Sequence, residues 1–170
     1  MAFFDPQKAR EQYLAKLLAR YGTVTLPIHS AHQTLPLHTV FQPMVLRRDP
    51  FAPQNGLPVA AEEIVRARDG AEALSKSTQG RMVVLGGPGM GKTTTLKALL
   101  YTAIITAQAD PSAPLPLFIS LPDLMRAGLS FETYTQHIVA ELNIDARFAG
   151  FLTVAIHESN AFLCLDSLDE

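Results

Sequence analysis

Residues 86 to 93 read Gly-Gly-Pro-Gly-Met-Gly-Lys-Thr, a run of spaced glycines that ends in a cation and a hydroxyl. That combination suits a phosphate. Glycine at 86, 89 and 91 permits backbone angles and a closeness of approach that a Cβ would block, so successive N–H groups can converge on phosphate oxygens. A helix starting just beyond adds its positive dipole end and its free amides. Lys92 can reach the β- and γ-phosphates as a point charge, and the Thr93 hydroxyl can ligate Mg²⁺. The candidate phosphate-binding residues are therefore Gly86, Gly87, Pro88, Gly89, Met90, Gly91, Lys92, Thr93 and Thr94. The bland alternative is a glycine-rich turn that merely caps a helix. Typical residue frequencies produce the pattern by chance in roughly half a percent of chains this long, and a strand before it with a helix after it favour the phosphate reading.

A second group of residues could complete the chemistry. An open α/β sheet presents ligand-binding groups at the carboxyl ends of its strands, and the apolar run Phe162 to Leu165 leads directly into Asp166. Asp166 would hold Mg²⁺, directly or through a water, opposite Thr93. Asp169 and Glu170 follow three and four residues later, and one of them could orient or deprotonate an attacking water. Lys92, Asp169 and Glu170 thus form the candidate catalytic set, with Thr93 and Asp166 as the metal pair. Taken alone, Asp166 reads more readily as part of a solvated acidic turn; the phosphate loop upstream argues for the metal. A GTPase switch would require Asp-x-x-Gly at this point, but the fourth residue is Asp169, and no Asn-Lys-x-Asp segment occurs. ATP or ADP with Mg²⁺ is the expected ligand.

The elements that must carry these residues follow from periodicity. Met82 to Leu85 is a short apolar run suited to a strand buried on both faces, and Leu96, Leu99, Leu100, Ala103 and Ile104 mark a helix after Lys92. Leu117 to Leu121 predicts a second strand and Ala161 to Leu165 a third. Between them, Ser130 can cap a helix carrying Phe131, Tyr134, Ile138 and Leu142, and Asp145 another carrying Phe148, Phe151, Leu152, Ala155 and Ile156. Strands separated by helices predict a parallel α/β sheet with right-handed crossovers.

The N-terminal half offers less chemistry. Asp5-Pro6 is a cap and first-turn pair for a helix over 6 to 21, whose Tyr13, Leu14, Leu17, Leu18 and Tyr21 share a packing face before Gly22 ends it. Prolines 27, 36, 43, 50, 53 and 58 exclude a long helix between 23 and 58 and leave extended segments such as Thr39 to Leu46. A short helix is predicted from Ala60 to Arg68. His29, His32 and His38 lie in this proline-rich stretch without a cysteine partner, which argues against zinc. His137 and His157 read as surface or boundary residues, and Arg47 and Arg48 as a solvated pair. Of the 170 residues, 48% are hydrophobic and 18% charged, and the net charge of −2 supplies no electrostatic argument for nucleic acid or membrane. Cys164 is the sole cysteine, so no intramolecular disulfide forms and a buried, inert thiol is expected. The N-terminus lacks signal-peptide character and no apolar run approaches the length of a membrane span. A cytoplasmic protein is expected.

Three segments together resemble the NACHT family of signal-transduction ATPases: GGPGMGKTTTLKALL (86 to 100), PLFISLPDL (116 to 124) and FLCLDSLDE (162 to 170). The last is the most specific, because the family follows the strand acid with a small residue, a hydrophobic residue and an Asp-Glu pair, here Asp166, Ser167, Leu168, Asp169 and Glu170. LPLHTVFQPMVLRR (35 to 48) is similar to the extended lead-in before many bacterial NACHT modules. Pro122 departs from the polar residue common in the second motif, which questions the local turn. The resemblance implies a three-layer α/β/α P-loop NTPase with a parallel sheet over 81 to 170, incomplete at its C-terminus, preceded by an N-terminal helix and linker (1 to 34) and an extended lead-in with a short helix (35 to 80). It also implies a nucleotide-controlled switch: an ADP-held resting form, an ATP-held form that assembles as a homo-oligomer, slow hydrolysis, and further sensor and output domains as partners. The alternative is a non-catalytic module that holds nucleotide as a structural ligand. ATPases of this kind insert a further strand between the P-loop strand and the strand of Asp166, from sequence beyond the acidic motif. The expectation is therefore that the chain is the N-terminal part of a longer protein and is marginally stable alone.

Overall fold

The structure, a computed structural model, describes residues 3–28, 31–41, 45–47, 64–66, 84 and 89–167. Helix α1 (Pro6–Tyr21) begins where the sequence places it, with the Asp5 side chain accepting hydrogen bonds from the backbone N–H groups of Gln7 and Lys8. It ends at Gly22, whose N–H donates to the Leu18 carbonyl at 2.7 Å. A Cβ on residue 22 would lie 2.5 Å from that same oxygen, so only glycine fits this turn.

The proline-rich stretch is more ordered than a connector. Strands β1 (Thr23–Ile28) and β2 (Ala31–Pro36) pair antiparallel, from Thr23 opposite Pro36 to Ile28 opposite Ala31. Proline is tolerated because, among the described residues, this two-stranded ribbon leaves one edge of each strand unpaired. Two local expectations are corrected. Thr39 and Val40 are not extended: they belong to the single helical turn α2 (Leu37–Val40), which the Thr39 hydroxyl stabilises by donating to the Pro36 carbonyl. The helix predicted over Ala60 to Arg68 is, where described, a strand. Here β4 (Ile64–Arg66) pairs antiparallel with β3 (Val45–Arg47), because β-branched Ile64 and Val65 suit a pleated backbone once a partner strand is at hand.

Helix α3 (Lys92–Ala109) leads to β5 (Leu115–Ser120), α4 (Leu121–Ala127), α5 (Phe131–Glu141), α6 (Phe148–His157) and β6 (Ala161–Asp166). Strands β5 and β6 are parallel, Leu115 opposite Ala161 through to Ser120 opposite Asp166. The molecule is thus a mixed α/β protein with a small parallel sheet, two strands wide among the described residues. The predicted strand from Met82 to Leu85 lies outside the described residues except for Val84, which has no regular secondary structure. Strand β5 begins two residues earlier than periodicity suggested and yields Leu121 to α4. There Ser120 accepts from the Asp123 N–H, and Pro122 sits in the first turn, where its lack of an N–H costs nothing. Asp145 does not cap α6. Its carboxylate is held by the Arg147 backbone N–H at 3.0 Å and the Arg147 guanidinium at 2.5 Å, so the helix starts only at Phe148. This charge-assisted pair pulls the Asp145 carboxyl down to about 2.

One apolar core unites the two halves of the chain. Tyr13, Leu14 and Leu17 of α1 are buried with Leu100 and Ile104 of α3, Leu117 and Ile119 of β5, and Phe148 and Leu152 of α6. Phe151, expected on the packing face of α6, is instead 44% exposed and packs its ring against Phe4. Polar reach reinforces the docking of α1. Arg10 donates to the Ala107 carbonyl at 2.7 Å, and Lys16 donates to the Leu142 and Asn143 carbonyls at the end of α5, where a cation complements the helix dipole. The Tyr13 hydroxyl, fully buried, donates to the Pro116 carbonyl at 2.8 Å; burial raises its pKa, so it remains a donor throughout the ordinary pH range. Tyr13→Phe is expected to lower unfolding stability by about 1–2 kcal/mol, because it strands a buried acceptor while keeping the ring. Urea denaturation of the two proteins measures this, and coincident curves would show that the bond contributes nothing net.

Candidate functional site

The described part of the candidate phosphate loop has the backbone its glycines predict. Gly89 and Gly91 adopt φ of 75° and 76°, the left-handed region that side-chain-bearing residues seldom enter. At Gly89 no atom lies within 4 Å of where a Cβ would be, so the requirement there is conformational rather than steric. Gly91 is the N-cap of α3, and its carbonyl accepts the first helical bond, from Thr95 N–H at 2.8 Å. The N–H groups of Thr93 and Thr94 precede that bond, at the positive end of an 18-residue helix whose first turn contains no acid. Met90 is exposed, and Lys92 and Thr94 are partly buried.

The strand acid meets this helix start. Thr93 Oγ1 donates to Asp166 Oδ1 at 3.0 Å, across 73 residues of sequence. The packing behind the pair explains the meeting. Two residues before Asp166, on the same face of β6, Cys164 is buried with its sulfur 3.8 Å from the Leu96 carbonyl, one helical turn beyond Thr93. The strand and the helix are therefore in contact at two successive levels, and the outer level is Thr93 with Asp166. Burial, and secondarily the nearby Asp166 charge, push the Cys164 thiol up to about 12. It is a packing group, as the sequence implied, and not a nucleophile. Ser167 follows with φ of 61°, so the backbone leaves the strand direction immediately after the acid.

These two oxygens suit a hard cation. Adjacent ligands of an octahedral ion with bonds of about 2.1 Å are separated by about 3.0 Å, which matches the Thr93 to Asp166 distance. Among the described residues no group of three or more His, Cys, Asp or Glu side chains could hold a metal ion. Ser120 was given no role from sequence. It lies at the same sheet edge, opposite Asp166 in register; a polar residue closing an apolar strand was the available signal. Gly86, Gly87, Pro88, Asp169 and Glu170 lie outside the described residues. His137 and His157 are exposed, His32 is exposed, and His38 stacks on Tyr101 at 5.6 Å; His29 lies outside the described residues. No helix among those described is long and apolar enough to cross a membrane. No protein-family model, curated protein or solved structure matches the chain.

Proposed function

We propose that residues 81–170 form the nucleotide-binding core of a Mg²⁺-dependent P-loop NTPase of the NACHT type, an ATP-controlled cytoplasmic switch that hydrolyses its nucleotide slowly. One juxtaposition carries the reading. A hydroxyl and a carboxylate lie 3.0 Å apart, at the start of a helix that opens with a lysine after left-handed glycines, and at the carboxyl edge of a parallel strand pair. Each side chain then has a distinct task. Gly89 and Gly91 shape the loop, and the amides of Lys92, Thr93 and Thr94 face phosphate oxygens. The Lys92 ammonium neutralises the β- and γ-phosphates, and Thr93 and Asp166 hold Mg²⁺. The bound ion supplies charge neutralisation across the same phosphates. Asp169 or Glu170 orients or deprotonates the attacking water. Sensor and output domains, and a homo-oligomer in the ATP-held form, are the partners this reading implies.

Hydrolysis is tested apart from binding. The double substitution Asp169→Asn with Glu170→Gln is expected to slow single-turnover hydrolysis by about 100-fold or more while changing ATP affinity less than about threefold, since these acids act on the water. Equal loss of both would move the pair to metal binding or folding. A wild-type protein that binds ATP and never turns it over would favour nucleotide as a structural ligand.

A further inference from the structure

The first turn of α3 buries a hydroxyl without satisfying it. Thr95 is fully buried, on the inner face of the helix with Leu99, Leu100 and Ile104, and its Oγ1 has no hydrogen-bond partner. Buried hydroxyls are ordinarily bonded, because one left unmet forfeits its hydration for nothing in return. Thr135, also buried, follows that rule: its Oγ1 donates to the Glu132 carbonyl at 2.7 Å and lies 3.1 Å from Thr153 Oγ1.

The missing bond is one that a helix can supply. A threonine hydroxyl can donate to the carbonyl four residues before it. Further along α3, Thr102 does so to the Ala98 carbonyl at 3.1 Å and Thr106 to the Thr102 carbonyl at 3.0 Å. For Thr95 that carbonyl belongs to Gly91, which accepts the Thr95 N–H at 2.8 Å and has a second lone pair to offer. Donor and acceptor share one turn and do not meet. This turn differs from the later ones in its first residue: Gly91 stands at φ 76° and ψ 19°, so its carbonyl is oriented by the loop backbone rather than by helical angles. The amides of Thr93 and Thr94 lie between donor and acceptor.

We propose that Thr95 is a positioning residue of the phosphate site: phosphate held on the amides of Thr93 and Thr94 brings the Gly91 carbonyl to the Thr95 hydroxyl, and the bond formed there stabilises the phosphate-bound turn. The first turn of α3 is then a two-state element, and phosphate favours the state in which the hydroxyl is met. Thr95 touches neither phosphate nor metal and acts through Gly91. The inference rests on the nucleotide reading and adds to it a link from the loop to the buried face of α3.

Thr95→Val and Thr95→Ser separate the hydroxyl from the shape of the side chain. Calorimetric titration with MgATP, and thermal unfolding without nucleotide, are measured on the full chain and on both variants. Valine keeps the volume and removes the unmet group, so it is expected to raise the unfolding midpoint by about 2–4 °C and to weaken MgATP about five- to thirtyfold. Serine keeps the hydroxyl and is expected to bind MgATP within about threefold of the wild type. A residue that only filled space would give the reverse order, with valine close to wild type and serine weaker. Valine that binds MgATP as the wild type does, valine that melts lower, or serine that loses affinity along with valine would each overturn the proposal while leaving the phosphate site standing. A wild-type chain that binds no MgATP would overturn the site and the proposal together.

Discussion

Replacing Lys92 with alanine is expected to abolish measurable ATP binding while leaving the helices in place. Alanine is the best helix former, so α3 (Lys92–Ala109) keeps its start without the lysine. In the nucleotide complex the Lys92 ammonium faces two phosphates. Charge-assisted bonds of this kind contribute about 1.5–3 kcal/mol each, so losing two amounts to roughly a hundredfold to ten-thousandfold in affinity. Calorimetric titration of ATP into both proteins measures the loss, and circular dichroism alongside checks the helices. Undiminished affinity in Lys92→Ala would reject the phosphate site.

Asp166→Asn should remove the dependence of nucleotide affinity on Mg²⁺. Asparagine keeps an oxygen that can accept from the Thr93 hydroxyl, so the 3.0 Å contact and the packing of Cys164 behind it survive while the charge is lost. Replacing even an outer-shell partner of a metal costs roughly ten- to a hundredfold in affinity, and a carboxylate that holds the ion is expected to cost at least that. The prediction is that the variant binds ATP equally well with Mg²⁺ or with chelator, at the weaker affinity that the wild type shows in chelator. Asp166→Ala, which also deletes the acceptor for Thr93, should bring no further loss of metal dependence. A full Mg²⁺ effect in Asp166→Asn would remove the carboxylate from the metal site.

The features legible in the sequence were those fixed by local chemistry. Asp5-Pro6 fixes the start of α1, Ser130 that of α5 through its bond to the Thr133 N–H, and the alternation of apolar runs with caps locates β5 and β6 to within two residues. Gly89 and Gly91 were legible for the same reason: their φ values answer a local backbone demand. The meeting of Thr93 with Asp166 was readable only through the general rule that sites lie at strand ends, since nothing local specifies a contact over 73 residues.

What escaped reading was set by long-range partners or by side-chain competition. Ile64 to Arg66 becomes a strand because Val45 to Arg47 lies beside it, a fact absent from either segment alone. Asp145 looked like a helix cap, but Arg147 two residues on supplies a stronger, bidentate demand for its carboxylate. Phe151 has the spacing of a core residue, yet it faces Phe4 at the margin because Phe148 and Leu152 already fill the space beneath α6.

The central claim is that this chain binds MgATP through the start of α3 and the end of β6. Equilibrium titration with a fluorescent ATP analogue, once in Mg²⁺ and once in chelator, tests it most directly. The account predicts saturable one-to-one binding that unlabelled ATP and ADP displace and that Mg²⁺ tightens about tenfold or more. A chain whose circular dichroism shows its helices intact, but which gives no saturable binding in Mg²⁺ at millimolar nucleotide, would contradict it.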